Sequence, residues 1–146
     1  MSIKSQQAKM KQLATLLEGN LSYIYGEKEC GPNGAKVEFH RHGKAFLRGM
    51  AKDLAFTDFI VRSNTAGIAT SGEVSLYGLW DNEGLMITLS QFDLHNDVML
   101  YRTITQIKGG QHGFNQWLPL NALSGGDYTQ LLATFSHYQG RCRHAA

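Results

Sequence analysis

The sequence predicts an α+β protein: an antiparallel sheet of four to five strands in a meander, with N-terminal helices and a C-terminal helix packed on one face. Three observations predict it. Apolar residues recur at intervals of three and four through the first 56 positions, the period falls to two from Asp58 onward, and the helical interval returns after residue 121. A chain of 146 residues, 42% hydrophobic and 10% aromatic, can bury one core and is too short to divide into two. Residues 1–146 therefore read as a single domain, with a helical part (1–56), a sheet part (57–120) and a C-terminal helix (121–140).

Taken in order, Met10, Leu13, Ala14, Leu17 and Leu21 line one side of a helix that starts near Ser2 or Ser5 and ends around Gly19 and Asn20. Residues 26–35, "GEKECGPNGA", combine glycine, proline and asparagine and read as a loop. Phe39, Phe46, Leu47, Met50, Ala51 and Leu54 then keep helical spacing, although Gly43 and Gly49 each cost about 1 kcal/mol in a helix interior. This leaves two readings: the glycines permit close packing, or Val37 to His40 form a short strand and the helix starts near Arg41 or His42.

Phe59 to Arg62, Gly67 to Thr70, Glu73 to Leu79, Leu85 to Gln91 and Val98 to Thr103 are short, rich in β-branched or aromatic residues and separated by turn chemistry such as "SNTAG" and "WDNEG". Val74 and Leu76 share a side, as do Leu85, Ile87 and Leu89, while Val98, Leu100 and Ile104 alternate with Met99, Tyr101 and Thr103. One face is therefore apolar and needs helices over it. Residues 105–119, "TQIKGGQHGFNQWLP", read as irregular. Tyr128, Leu131, Leu132, Phe135 and Tyr138 form the stripe of the last helix, with Ser124 or Asp127 as N-cap and Gly140 as its stop.

Function classes narrow by charge and motif. The net charge of +2 gives no global field for DNA or an anionic membrane, so electrostatic recognition must come from local clusters. No segment approaches the roughly 20 apolar residues that cross a bilayer, and "MSIKSQQAKMKQ" lacks the apolar run of a secretory signal. Cys30 and Cys142 form no CxxC pair. A cytoplasmic chain with two free thiols, and no membrane contact, is the expectation.

Gly67 to Gly72 has the glycine spacing of a Walker loop, but Glu73 and Val74 stand where lysine and a hydroxyl are needed, and a strand comes next where a helix N-terminus would offer its amides. The segment reads as a bend between strands. His40 and His42 would share a side of a strand and diverge by about 200° on a helix, and no HExxH or CxxC pattern completes a metal site. No GxSxG elbow is present. The sequence thus names no catalytic residue, metal or cofactor.

What stands out is electrostatic. Arg41, Lys44, Arg48 and Lys52 are spaced three, four and four apart, so they stack along one stripe of the second helix opposite its apolar side. Only Glu38 and Asp53 flank them. An acidic surface or a nucleic-acid backbone complements such a stripe, and a solvated face is the plain alternative. Arg62, Asn64, Tyr77, Tyr101, Arg102, Lys108, Gln111, His112, Asn115 and Trp117 form a second polar and aromatic population at strand ends and in the long loop, of a kind that suits interfaces and sheet edges alike.

The span from His42 to Asn115 carries "HRHGKAFLRGMAKDL", "IVRSNTAGIATSGEVSLYG", "MITLSQ", "LYRT" and "GGQHGFN". In this texture it resembles a family of small, mostly uncharacterised accessory proteins of plasmids, integrative elements and phages, of the polyvalent-protein-associated, anti-defence type. The resemblance covers about half of the chain. It implies a role in protecting a mobile element, as an anti-CRISPR or anti-restriction inhibitor that works by binding.

Together these readings lead to a non-catalytic binding protein that occupies a host defence protein or nucleoprotein complex. Arg41, Lys44, Arg48 and Lys52 would supply charge, and Arg62, Tyr77, Tyr101, Arg102, Lys108 and Trp117 packing and orientation. One alternative is direct, sequence-tolerant DNA or RNA binding. Another is a small enzyme built from dispersed His40, His42, Arg62, Asn64 and His112. A homodimer through a sheet edge stays open.

Overall fold

The computed structural model describes residues 3–18, 35–64, 72–92, 97–108, 110–111 and 113–139. Two long helices come first, α1 (Ile3–Glu18) and α2 (Ala35–Asp53). Strands β1 (Asp58–Asn64), β2 (Glu73–Trp80), β3 (Glu83–Phe92) and β4 (Asp97–Gln106) form an antiparallel meander after them. Two short strands, β5 (Gly110–Gln111) and β6 (Gln116–Pro119), both pair with β4. A single-turn helix α3 (Asn121–Ser124) and α4 (Tyr128–Ser136) complete an α+β fold.

Each helix arises from its apolar spacing. In α1, Met10, Leu13, Ala14 and Leu17 are buried together with Gln6. α2 runs unbroken from Ala35, so the close-packing reading of its glycines holds and the strand over Val37 to His40 does not form. Gly49 shows why: a Cβ there would stand 2.5 Å from Oε1 of Gln6, and Gly43 lies against Val74. The two helices approach through the bare position at Gly49, and Gln6 donates to the Phe46 carbonyl at 2.9 Å. Asp127 caps α4 by accepting from the Thr129 amide at 3.0 Å.

Cross-strand register sorts the sheet into two faces. Val61, Leu76, Ile87 and Tyr101 form one row and Leu89 and Met99 pair beside it, all on the side of the helices. Phe135 of α4 meets Tyr101 edge-on, with ring centres 5.1 Å apart. Trp80 donates to the Leu54 carbonyl at 2.7 Å, tying the end of α2 to β2. Phe39, Phe46, Leu47, Met50, Leu76, Leu85, Ile87, Tyr128 and Phe135 fill the layer between with no accessible surface. At about 25 cal/mol per Å² of apolar area removed from water, this layer is the main source of stability.

Residues 105–119 depart from the irregular reading, because part of them supplies the two strands that extend β4. Gly67 to Thr70, read as a strand, lies outside the described residues, as do Gly140 and most of the loop at 26–35. β2 begins directly after Gly72 and pairs antiparallel with β1, so the glycine segment joins neighbouring strands. No helix among the described residues is long and apolar enough to cross a membrane.

Candidate functional site

The charged stripe lies on the helical side of the sheet, and Arg62, Tyr77, Arg102 and Trp117 lie on the opposite side. α2 turns its apolar side to β1 and β2, which leaves Arg41, Arg48 and Lys52 exposed and Lys44 half-buried. Glu38 accepts a hydrogen bond from Arg41 and stands 3.0 Å from Nε2 of His42. The Arg41 contact is the first cause that holds the Glu38 carboxyl below the usual carboxylate range. Asp53 is also engaged, since it accepts the Tyr128 hydroxyl at 2.6 Å. Among the described residues, Lys44, Arg48 and Lys52 therefore have no carboxylate partner. The ridge is three free cations with a fourth already paired.

Charge is segregated on a larger scale. Helices α1 and α2 hold eight Lys or Arg and three Asp or Glu, net +5, while the whole chain is net +2, so the remaining residues carry net −3. A near-neutral total thus hides a cationic helical layer.

On the other face, one row runs Arg62, Ser75, Thr88, Leu100 and Trp117, and the next runs Ile60, Tyr77, Met86 and Arg102. None of the described helices has a partner residue in these rows. Ser75 and Thr88 are buried and share a hydrogen bond of 2.8 Å. Arg62 is exposed and places its guanidinium 5.8 Å from the centre of the half-buried Tyr77 ring. Arg102 is half-buried, with one nitrogen against the Met86 sulfur at 3.9 Å and its Nε buried without a partner. Trp117 is 46% exposed and meets Phe92 edge-on.

The structure therefore divides the ten expected contact residues. Arg41, Lys44, Arg48 and Lys52 belong to the helical side, and Arg62, Tyr77, Arg102 and Trp117 to the opposite face. Lys108 is exposed between β4 and β5. Tyr101 is corrected: register turns it toward the helices, where it packs against Phe135 and Tyr138 at 8% exposure and offers nothing to a partner. That burial, helped by Tyr138, pushes its hydroxyl up to about 12.

The described residues of the enzyme reading are gathered only in part. Arg62 and Asn64 line a shared depression, while His40 is buried behind it with Nδ1 2.6 Å from the Ser63 hydroxyl. His42 points elsewhere, to Glu38 and to Gln12 of α1 at 3.3 Å. His112 and both cysteines lie outside the described residues. Among those residues no group of three His, Cys, Asp or Glu side chains is placed to hold a metal ion.

Two features escape a reading of the sequence. Glu73 lines the same depression as Arg62, Asn64 and Tyr77. Phe114 is 87% exposed, an unusual position for a phenyl ring. Period-two alternation from Glu73 to Tyr77 is the signal that could have found the first, and an aromatic isolated among Gly, Asn and Gln the second.

Comparison with protein-family models, with curated proteins and with solved structures gives no match.

Proposed function

We propose that this chain is a non-catalytic binding protein that uses the ridge of Lys44, Arg48 and Lys52 to occupy an anionic surface, that of a host defence nucleoprotein complex. The observation that carries the reading is the pairing state of the ridge. Like charges one helical turn apart repel by a few tenths of a kcal/mol, and a helix ordinarily relieves this with interleaved acids. Here the two nearby acids are engaged, one by Arg41 and one by Tyr128, so an external anion is the natural complement. The mobile-element and anti-defence setting is supported by the resemblance over His42 to Asn115, and a role by binding alone suits it.

Arg48→Glu with Lys52→Glu tests the reading. The double variant should fold as the parent does, because both side chains are exposed. It should lose capture of defence complexes from a bacterial lysate and lose protection in an interference assay. Unchanged capture and protection would reduce the ridge to a solvated face. Naked DNA or RNA separates the alternative of direct binding. Three phosphate contacts predict a log–log salt slope of about −2.7 on duplex DNA, and no complex in moderate salt would remove that alternative.

A further inference from the structure

The face opposite the ridge carries a built depression of about 420 Å³, lined by Arg62, Ser63, Asn64, Glu73, Ser75 and Tyr77. This is within the size range of ligand pockets, roughly 300–1,000 Å³. Its chemistry is mixed in a specific way: one aromatic wall, one carboxylate, one guanidinium, one amide and the Ser75 hydroxyl, while the Ser63 hydroxyl turns to His40 on the helix side.

The arrangement of the charged pair is informative. Arg62 faces Ser75 across β1 and β2, and Asn64 faces Glu73, so Arg62 and Glu73 are diagonal neighbours on one face, with β-carbons about 7–8 Å apart. Opposite charges at that spacing are within reach of each other. Here no ion pair forms between them among the described residues, and the guanidinium instead lies over the Tyr77 ring on its other diagonal. A carboxylate with no ion-pair partner therefore stands on one side of Arg62 along the depression, and the Tyr77 ring stands on the other. A flat ligand that presents donors along one edge and acceptors along the next can satisfy the carboxylate and the guanidinium together while it lies against the ring.

Among nucleobases guanine alone has that order. Its N1–H and N2–H₂ groups can be accepted by one carboxylate, while O6 and N7 match an arginine fork. Adenine and cytosine place a ring acceptor beside their amino group, which a carboxylate repels. Tyr77 supplies a stacking surface for any base. We infer that the depression between the ends of β1 and β2 binds a guanine base, with Glu73 on its Watson–Crick edge, Arg62 on O6 and N7, and Tyr77 against its plane. The base can come from a free guanine nucleotide or from a guanosine within a single strand, and both present the same edges.

Calorimetric titration of the full chain with GMP, AMP and CMP, and with short single-stranded RNA of alternating U and G or of alternating U and A, tests the site. Binding should favour the guanine member by roughly tenfold or more. Glu73→Gln, which keeps the shape and removes the second acceptor, should abolish that preference. Tyr77→Ala should weaken every base by about tenfold or more. Preference for GMP over the other mononucleotides identifies the free nucleotide, and preference confined to RNA identifies the strand. Either one, if lost in Glu73→Gln, supports the site. No guanine preference in either arm up to about 1 mM ligand, or one that Glu73→Gln leaves intact, overturns it. The Arg48→Glu, Lys52→Glu variant should bind the guanine probes as the parent does, so failure of the ridge and failure of this site are read separately.

Discussion

The same strands present two surfaces of different character. Toward the helices, the row of Val61, Leu76, Ile87 and Tyr101 is apolar apart from one hydroxyl, and it lies in a core that also holds Phe46, Tyr128 and Phe135. One residue along, the row of Arg62, Ser75, Thr88, Leu100 and Trp117 holds a guanidinium, two hydroxyls and an indole. Apolar burial is concentrated in the first row and polar and aromatic chemistry in the second. A sheet one residue thick separates them, so substitutions on one side need not disturb the other.

The sharpest way to break that contrast is to cut large aromatic side chains from both sides. Phe46→Ala removes a fully buried ring that meets Tyr128 edge-on and should cost about 3–5 kcal/mol in urea unfolding. Trp117→Ala should cost about 0.5–1 kcal/mol, because its ring is half in water and its ring contact is Phe92. Equal losses would mean that the second face is part of the core.

Next in size, Gly49→Ala drives a methyl group into Gln6 and should cost roughly 1–3 kcal/mol. Gln6→Ala on that background should recover part of the loss, since the clash is with this one side chain. On the opposite face, Ser75→Ala leaves the Thr88 hydroxyl without its partner in a buried position, at about 1 kcal/mol.

The smallest effect at neutral pH is ionic. Burial, and then the hydrogen bond to Asp53, raise the Tyr128 hydroxyl, and burial with Tyr138 raises Tyr101 to about 12. Both hydroxyls ionise later in the folded chain than in the unfolded one, whose value is near 10. Their contribution is complete below about pH 10 and is lost as pH rises toward 12. Thermal unfolding should therefore be insensitive to these groups near neutrality and fall above about pH 10, less steeply in Tyr128→Phe.

Much of this plan is legible in local order. α1 and α4 can be read because their stripes are regular and end at cap or turn residues, and β2 and β3 because each alternates cleanly. β6 cannot: "QWLP" is too short to show a period, and its pairing is decided by Met99 and Leu100, distant in sequence. Tyr101 misleads for a related reason. Alternation groups it with Met99 and Thr103, but both sides of β4 carry apolar residues, and only the register with Ile87 tells which side meets the helices. Glu73 stays hidden because the link from Asn64 is too long to announce a turn type, so local order does not fix which residue opposes which. The ridge is legible in full as a spacing, yet the capture of Asp53 by Tyr128 depends on a contact across 75 positions.

The Gln6 contacts carry a consequence for biosynthesis. Gln6 and Gln7 donate to or accept from Tyr128 and Gly126, about 120 residues downstream. During synthesis α1 leaves the ribosome about 120 residues before the groups that complete its seat. Until those groups emerge, Met10, Leu13 and Leu17 lack part of their cover, and this interval exposes the segment to aggregation.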